Sequence, residues 1–260
     1  MIYAIADIHG YYDLFRSRIE LLEPELEKQG NRLVLLGDYI DRGPDSFRSL
    51  ELAHSLQKKH GKEKVIALKG NHEEWFLDFI EGRGDEWLAE DENFNTSGTF
   101  LDDEQKKQLA ELKSRQARIQ LIRSNIRQCH RELLVWAKKL PLYYETPTQI
   151  FVHAGVEEDI PKDEMDYCTL GTPEYVFTGK YPPTTGQFYK DIIAGHTAAS
   201  SVAGDPAFEG IFYDGASHYY IDGAVERTGK LLCLAYDEKV RRYFELSEDG
   251  TKKAILGKRK

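Results

Sequence analysis

Asp38, Asp41 and Arg42 lie within one short stretch, Gly37-Asp38-Tyr39-Ile40-Asp41-Arg42-Gly43. Carboxylates are hard oxygen ligands for divalent cations, and an arginine is a planar fork that matches a phosphoryl group. Four further stretches carry groups of a similar kind: Asp7-Ile8-His9-Gly10, Lys69-Gly70-Asn71-His72-Glu73, His153-Ala154-Gly155 and Gly195-His196-Thr197. Of the eight histidines, four belong to these stretches, whereas His54, His60, His130 and His218 fall elsewhere. A mixed set of imidazole, carboxylate and amide donors suits two borderline divalent ions, manganese, iron or zinc, better than calcium or magnesium. Two such ions about 3.5–4 Å apart can share a carboxylate and a hydroxide nucleophile. Taken singly, each residue has a plain structural reading: Asp38 or Asp41 as a turn cap, Asn71 as a left-handed turn residue, His153 as a satisfied core histidine. Taken together, the metal-and-phosphate reading is far the stronger.

The elements that must hold these groups are legible beside them. Each stretch follows a short apolar run: Ile2 to Ala6, Leu33 to Leu36, Val65 to Leu68, Gln149 to Val152 and Ile192 to Ala194. Such runs read as buried strands, and polar chemistry gathers at the C-terminal edge of parallel strands. Asp7 and His9 are two apart, so their side chains leave on one face. Residues 13 to 28 have helical spacing, with Phe15, Ile19, Leu22 and Leu26 on one side. Pro44 suits the first turn of a second helix running to about Lys59. Strand, helix, strand, helix, strand is an α/β arrangement. Residues 103 to 139 read as one long helix, with Leu112, Ile119, Ile126, Leu133 and Leu140 every seven residues and Ile122, Cys129 and Trp136 beside them. At 1.5 Å per residue it would reach about 54 Å. Its seam fits either a hairpin packed on the domain or a homodimer surface. The polar, proline-bearing region between His153 and Ile192 reads as irregular. Gly210 to Tyr213, His218 to Ile221, Leu231 to Ala235 and Val240 to Leu246 read as antiparallel strands, and a second sheet facing the first would give a β-sandwich flanked by helices.

Composition bounds the function. The chain has 260 residues, 41% of them hydrophobic, and a net charge of −9. That favours one domain, 1–260, with an insertion, and disfavours a nucleic-acid surface, which needs clustered positive charge. No apolar run approaches a membrane span, and no signal-like segment follows Met1. Three cysteines without paired spacing, Cys129, Cys168 and Cys233, point to reduced thiols and a cytoplasmic setting, with Cys129 and Cys233 as core filler. The basic tail from Lys252 to Lys260 reads as frayed and solvated.

The motifs DIHG (7–10), GDYIDRG (37–43), KGNHE (69–73), HAG (153–155) and GHT (195–197), with IDGA at 221–224, resemble the signature of the phosphoprotein phosphatase branch of the calcineurin-like metallophosphoesterases, bacterial serine/threonine type. The resemblance implies a four-layer αββα fold, with a helical insertion at about 85–140. It implies Asp7, His9 and Asp38 as ligands of a first metal. Asp38 would bridge to a second held by Asn71, His153 and His196. It implies His72 as general acid, Asp41 as the carboxylate that orients it, and Arg42, Asn71 and Lys69 at the substrate phosphate. The reaction would be in-line hydrolysis assisted by two divalent ions, manganese first, with no phosphoenzyme. Two departures bear on the substrate. Lys69 stands where protein phosphatases usually carry an arginine, and lysine cannot form the bidentate fork. Residues 154 to 195 contain no arginine at all, where the family supplies a second phosphate-binding one; Lys180 and Lys190 are the candidate replacements. Three functions are therefore compatible: a serine/threonine phosphatase acting on phosphoproteins, with phosphotyrosine as a further substrate, a symmetrical dinucleoside tetraphosphate hydrolase, and a catalytically inert metal-binding interaction protein.

Overall fold

In the computed structural model, which describes residues 1–160 and 168–256, a parallel ladder sets the frame. The elements β1 (Ile2–Ile5), α1 (Tyr12–Leu26), β2 (Arg32–Leu35), α2 (Ser46–His60) and β3 (Val65–Ala67) alternate as the apolar runs predict. Ile5 pairs with Leu35 and Leu35 with Ala67, so the three strands end level at one sheet edge. Next comes α3 (Asn71–Glu81), a helix that the motif reading of 69–73 leaves unassigned. A 3-10 turn at Glu86–Ala89 and the helices α4 (Asn95–Thr99), α5 (Asp103–Glu111), α6 (Arg115–Cys129) and α7 (Arg131–Lys138) form the insertion. The chain continues through β4 (Tyr143–Glu145), β5 (Gln149–Val152), α8 (Cys168–Gly171), α9 (Glu174–Gly179), β6 (Asp191–Ala194), α10 (Ala199–Ala203), β7 (Phe212–Tyr213), β8 (His218–Tyr220), α11 (Val225–Thr228), β9 (Leu234–Asp237), β10 (Arg242–Leu246) and β11 (Lys252–Ala254).

These strands form two mixed sheets, ordered β11-β10-β9-β1-β2-β3 and β4-β5-β6-β8-β7. Ala4, Val34, Leu36 and Ile66 of the first pack against Phe151, Ile193, Tyr219 and Ile221 of the second. The outer face of the first sheet, with Leu33 and Leu35, is covered by Phe15 and Ile19 of α1, Leu50 of α2, Phe76 of α3 and Ile122 of α6. The outer face of the second, with Ile150 and Ile192, is covered by Cys168 and Phe177. The result is the four-layer helix–sheet–sheet–helix order that the resemblance implies. The C-terminal strands differ from expectation. They do not make up the second sheet by themselves: β9, β10 and β11 extend the first sheet beyond β1, and β7 and β8 join the second. The expected antiparallel pairing holds between β7 and β8 and between β9 and β10, whereas β8 runs parallel to β6.

The expected 37-residue helix is three helices. Leu112 adopts an extended backbone, and the Ser114 hydroxyl then caps α6 by accepting the Ala117 N–H. His130 leaves helical geometry and separates α6 from α7. A polar cap inside an apolar repeat ended the helix, and the repeat carries no signal of that. Ile119, Ile122, Ile126, Leu133 and Leu140 are all buried in the core around α3, so the row faces the chain's own interior. Cys129 is exposed at the end of α6, contrary to its reading as core filler, whereas Cys233 and Cys168 are buried. The segment 168–179 contains two short helices where irregular chain was expected, and residues 161–167 lie outside the described residues. The basic tail begins not frayed but paired, with Lys252–Ala254 on β10; 257–260 lie outside the described residues.

Candidate active site

Five strand ends converge here because the two sheets face each other with β1, β2, β3, β5 and β6 parallel within each sheet. The loops then bend sharply. Asp7, His9, Asp38, Asp41, Arg42 and His196 all have φ between 46° and 74°, in the left-handed region that non-glycine residues rarely occupy. Such backbone costs about 1–3 kcal/mol per residue and persists only where surroundings over-determine it. Here the buried Glu73 carboxylate does much of that. It accepts the N–H groups of Asp38 and Tyr39 at 2.8 Å each and of Gly70 at 3.0 Å, tying the β2 loop to the start of α3. Gly37 and Gly70 let these loops touch, since a Cβ on Gly37 would collide with the Gly70 backbone and one on Gly70 with the Asp38 carboxylate.

Asp38 Oδ2 is the focus. His153 Nε2 lies 3.4 Å from it, His9 Nε2 3.7 Å and His72 Nε2 3.8 Å. Two groups of donor atoms lie within 4.8 Å of one another: His9, Asp38 and His72, and Asp38, His153 and His196. Asp38 belongs to both. The opposite ring nitrogens are spoken for. His9 Nδ1 faces the Ile40 carbonyl at 3.0 Å and His153 Nδ1 the Leu36 carbonyl at 2.8 Å. A proton on Nδ1 donated to a carbonyl leaves the Nε2 lone pair free and oriented inward, as metal-ligating histidines require. Asn71 Oδ1 sits 2.9 Å from His153 Nε2.

The charge distribution also fits bound cations. Asp7, Asp38, Asp41, Glu73 and Asp222 are all buried, and Asp41 Oδ1 is buried with no hydrogen-bond partner. Buried carboxylates in such number need paired positive charge. Burial and the neighbouring Asp222 hold the Asp7 carboxyl well above its ordinary range. Burial pushes Glu73 up to about 7 and Asp222 up to about 6. Burial works against charge on His153, yet Asp38 and Asp7 carry it up to about 10, so its Nε2 would give up a proton to a divalent ion that takes that place beside Asp38. Burial lowers His9 and His196 to about 4, leaving them neutral donors. The residues present therefore fit divalent ions: convergent imidazole lone pairs around a shared carboxylate, with surplus buried negative charge.

His72 is held differently. Its Nδ1 lies 2.6 Å from Asp41 Oδ2, which also accepts the indole N–H of Trp87 at 2.8 Å. Burial disfavours its charged form, but Asp38 and Asp41 raise its pKa above the ordinary value. The group it forms with His9 and Asp38 contains His72 where the resemblance implies Asp7. Asp7 instead accepts the His196 N–H at 3.1 Å and fixes the β6 loop. Arg42 is half-exposed and paired with Glu226 of α11 at 3.3 Å. Lys69 turns away: its ammonium donates to the Lys138 carbonyl at the end of α7. Neither candidate for the absent arginine is free, because Lys180 is bound to Glu158 and the Val156 carbonyl and Lys190 to Glu145.

Three contributors escape a motif reading. Glu73 stands in KGNHE, and its place three residues after a helix cap was a readable capping signal. Asp222 stands in IDGA and acts on Asp7 through space. Trp87 comes from the insertion, and no spacing in the sequence connects it to Asp41.

The family model for calcineurin-like phosphoesterases matches residues 1–228. Among curated relatives, serine/threonine-protein phosphatase 2 of Escherichia coli is 37% identical over 91 residues, covering 34% of this chain and 37% of that protein. A symmetrical bis(5'-nucleosyl)-tetraphosphatase of Nitrosococcus oceani is 27% identical over 157 residues, covering 60% of this chain and 44% of that one. The chain thus spans less than half the length of the curated relatives it matches. A cold-active protein-tyrosine phosphatase of a psychrophilic Shewanella superposes with a TM-score of 0.57 at 15% identity, covering 98% of this chain and 80% of that chain, a likeness of fold. No helix among the described residues is long and apolar enough to cross a membrane. With the strand-end motifs, the four-layer fold and the match to residues 1–228, the chain belongs to the calcineurin-like phosphoesterase family.

Proposed function

We propose that this protein is a metal-dependent phosphomonoester hydrolase that acts on phosphoproteins. The observation that carries the reading is the convergence of three imidazole Nε2 atoms on Asp38 Oδ2, with one of those imidazoles, His72, locked to Asp41. Asp7, His9 and Asp38 would hold one divalent ion, and Asp38, Asn71, His153 and His196 a second; manganese suits the donors, with iron and zinc as alternatives. Such ions supply Lewis-acid charge for phosphoryl oxygens and acidify water for attack. The chain's own groups do the rest. Asp41 fixes the His72 tautomer and favours its protonated form, so His72 Nε2 can deliver a proton to the leaving oxygen. Arg42, released from Glu226, would grip two phosphoryl oxygens with its fork, and the Asn71 amide would help orient them. Glu73 acts through the backbone, keeping Asp38 and the His72 helix in register.

A second reading is symmetrical hydrolysis of dinucleoside tetraphosphates. Two relatives of that name match 60% of this chain, and the lack of arginine between 154 and 195 leaves room for it. Products separate the two. Protein stripped of metal and refilled with Mn²⁺ is incubated in parallel with phosphopeptides and with diadenosine tetraphosphate. Inorganic phosphate released from peptides far faster than nucleotide is cleaved is the expected result. Preferential formation of ADP would transfer the protein to the second reading.

A further inference from the structure

A groove of about 590 Å³ opens next to Trp75, lined mostly by charged side chains and by two aromatic rings, Trp75 and Tyr175. Trp75, one helical turn beyond His72 on α3, places its ring 5.1 Å from the imidazole, tilted by 51°, and remains 43% exposed. Tyr175 of α9, 74% exposed, lines the same groove. The two helices are tied together there, because Thr178 donates to Glu74 at 2.8 Å. An indole left in water at the mouth of a site costs solvation that a bound ring would recover.

Resting on the function proposed above, we propose that Trp75 and Tyr175 form a leaving-group subsite that selects an aryl ring, the side chain of phosphotyrosine in a protein. His72 delivers its proton to the leaving oxygen, so the group attached to that oxygen must lie on the His72 side of the phosphorus. Trp75 is the surface it meets. A seryl or threonyl leaving group has no ring to lay against the indole. The groove's charge argues against a nucleoside polyphosphate there. Lys138 and Arg83 are both bound to Glu81, and Lys69 rests on a carbonyl. Asp78 is bound to Arg83 and Glu74 accepts from the Thr178 hydroxyl, and among the described residues neither Glu74 nor Glu174 has a cation partner. With four carboxylates (Glu74, Asp78, Glu81, Glu174) against three cations already engaged (Lys69, Arg83, Lys138), that lining suits a neutral phenolic ring better than a trailing chain of phosphates.

An aryl oxide leaves more readily than an alkoxide on any enzyme, so a raw preference for phosphotyrosine carries no weight. The informative quantity is how the preference responds to the ring. Two peptides of the same flanking sequence, one with phosphotyrosine and one with phosphoserine, are assayed with the Mn²⁺-loaded protein and with Trp75→Ala, Trp75→Phe and Tyr175→Ala. Trp75→Ala is expected to lower kcat/KM for the phosphotyrosine peptide about tenfold, mainly through KM, and for phosphoserine less than twofold. Trp75→Phe is expected to restore most of the difference, and Tyr175→Ala to show a smaller loss in the same direction. Quenching of tryptophan fluorescence by phenyl phosphate, lost in Trp75→Phe and not produced by O-phosphoserine, gives a readout without turnover. Equal losses on both peptides, or none on either, overturn the subsite while leaving the phosphatase intact. ADP from diadenosine tetraphosphate with no phosphate from either peptide overturns the phosphatase reading and the subsite with it.

Discussion

The strand-end loops and the helical insertion obey opposite rules. In the loops, the residue types carry the information: carboxylates, imidazoles and an arginine stand in left-handed backbone and buried positions that they would avoid in ordinary structure. In the insertion, the residue types are unremarkable and only the spacing speaks. That spacing says which side of the chain is apolar, but not what it packs against or where the helix stops. Besides the bond from the Lys69 ammonium to the Lys138 carbonyl, the two regions meet at a bond that reaches the site's buried carboxylates, from Trp87 to Asp41. Chemistry is therefore local in sequence at the loops and non-local at this contact.

The comparison is broken most severely at His72. His72→Asn is expected to lower turnover on alkyl phosphoesters about 10²–10⁴-fold while metal content, read by elemental analysis, stays near the native value. Loss of the metal together with the activity would make His72 a ligand, a role its place beside His9 and Asp38 also permits. In the insertion the opposite pattern is expected. Ile122→Ala removes a fully buried side chain facing the core and is expected to cost about 2–5 kcal/mol in denaturant unfolding, with kcat of the folded fraction unchanged. A large fall in kcat there would mean that the insertion shapes the site well beyond Trp87.

A control stands outside both regions. His218 is buried between Glu158 at 2.9 Å and Asp214 at 3.0 Å. Burial opposes its charge, but the two carboxylates raise its pKa above the ordinary value. A raised folded-state pKa stabilises the fold below the unfolded value near 6.5, and that stability is lost as pH climbs through the raised value. His218→Gln is expected to lose about 2 kcal/mol at pH 6 and less at high pH, flattening the dependence of Tm on pH relative to the native chain. An equal loss at both ends would mean that the imidazole is held neutral. The smallest effect sharpens the contact between the regions. Trp87→Phe keeps an aromatic ring but withdraws a donor from Asp41, and about a tenfold loss of turnover is expected, together with a changed pH profile for the acid limb. An unaltered profile would leave Trp87 as packing alone.

Much of this site was legible because its residue types are costly to bury without a purpose. Asp38, His72 and His153 at successive strand ends have no shared structural reading. The parallel strands were legible for a related reason, since apolar runs such as Leu33 to Leu36 admit little else. What the sequence withheld are facts of three dimensions. The backbone N–H groups that Glu73 gathers come from Asp38, Tyr39 and Gly70, on two different loops. The Ser114 cap lies inside an unbroken apolar repeat, where the period outweighs one hydroxyl. The parallel pairing of β8 with β6 depends on sheet order, and alternation along His218 to Ile221 is the same in either direction.

On the proposed function, Asp38 is shared by two ion sites that make hydrolysis possible. The most direct test follows Mn²⁺ binding to the metal-free protein by calorimetry while p-nitrophenyl phosphate turnover is measured on the same samples. Two ions per chain are expected, with turnover rising as the second site fills and both lost in Asp38→Asn. Full turnover without added ion, or two ions still bound and active in Asp38→Asn, would contradict it.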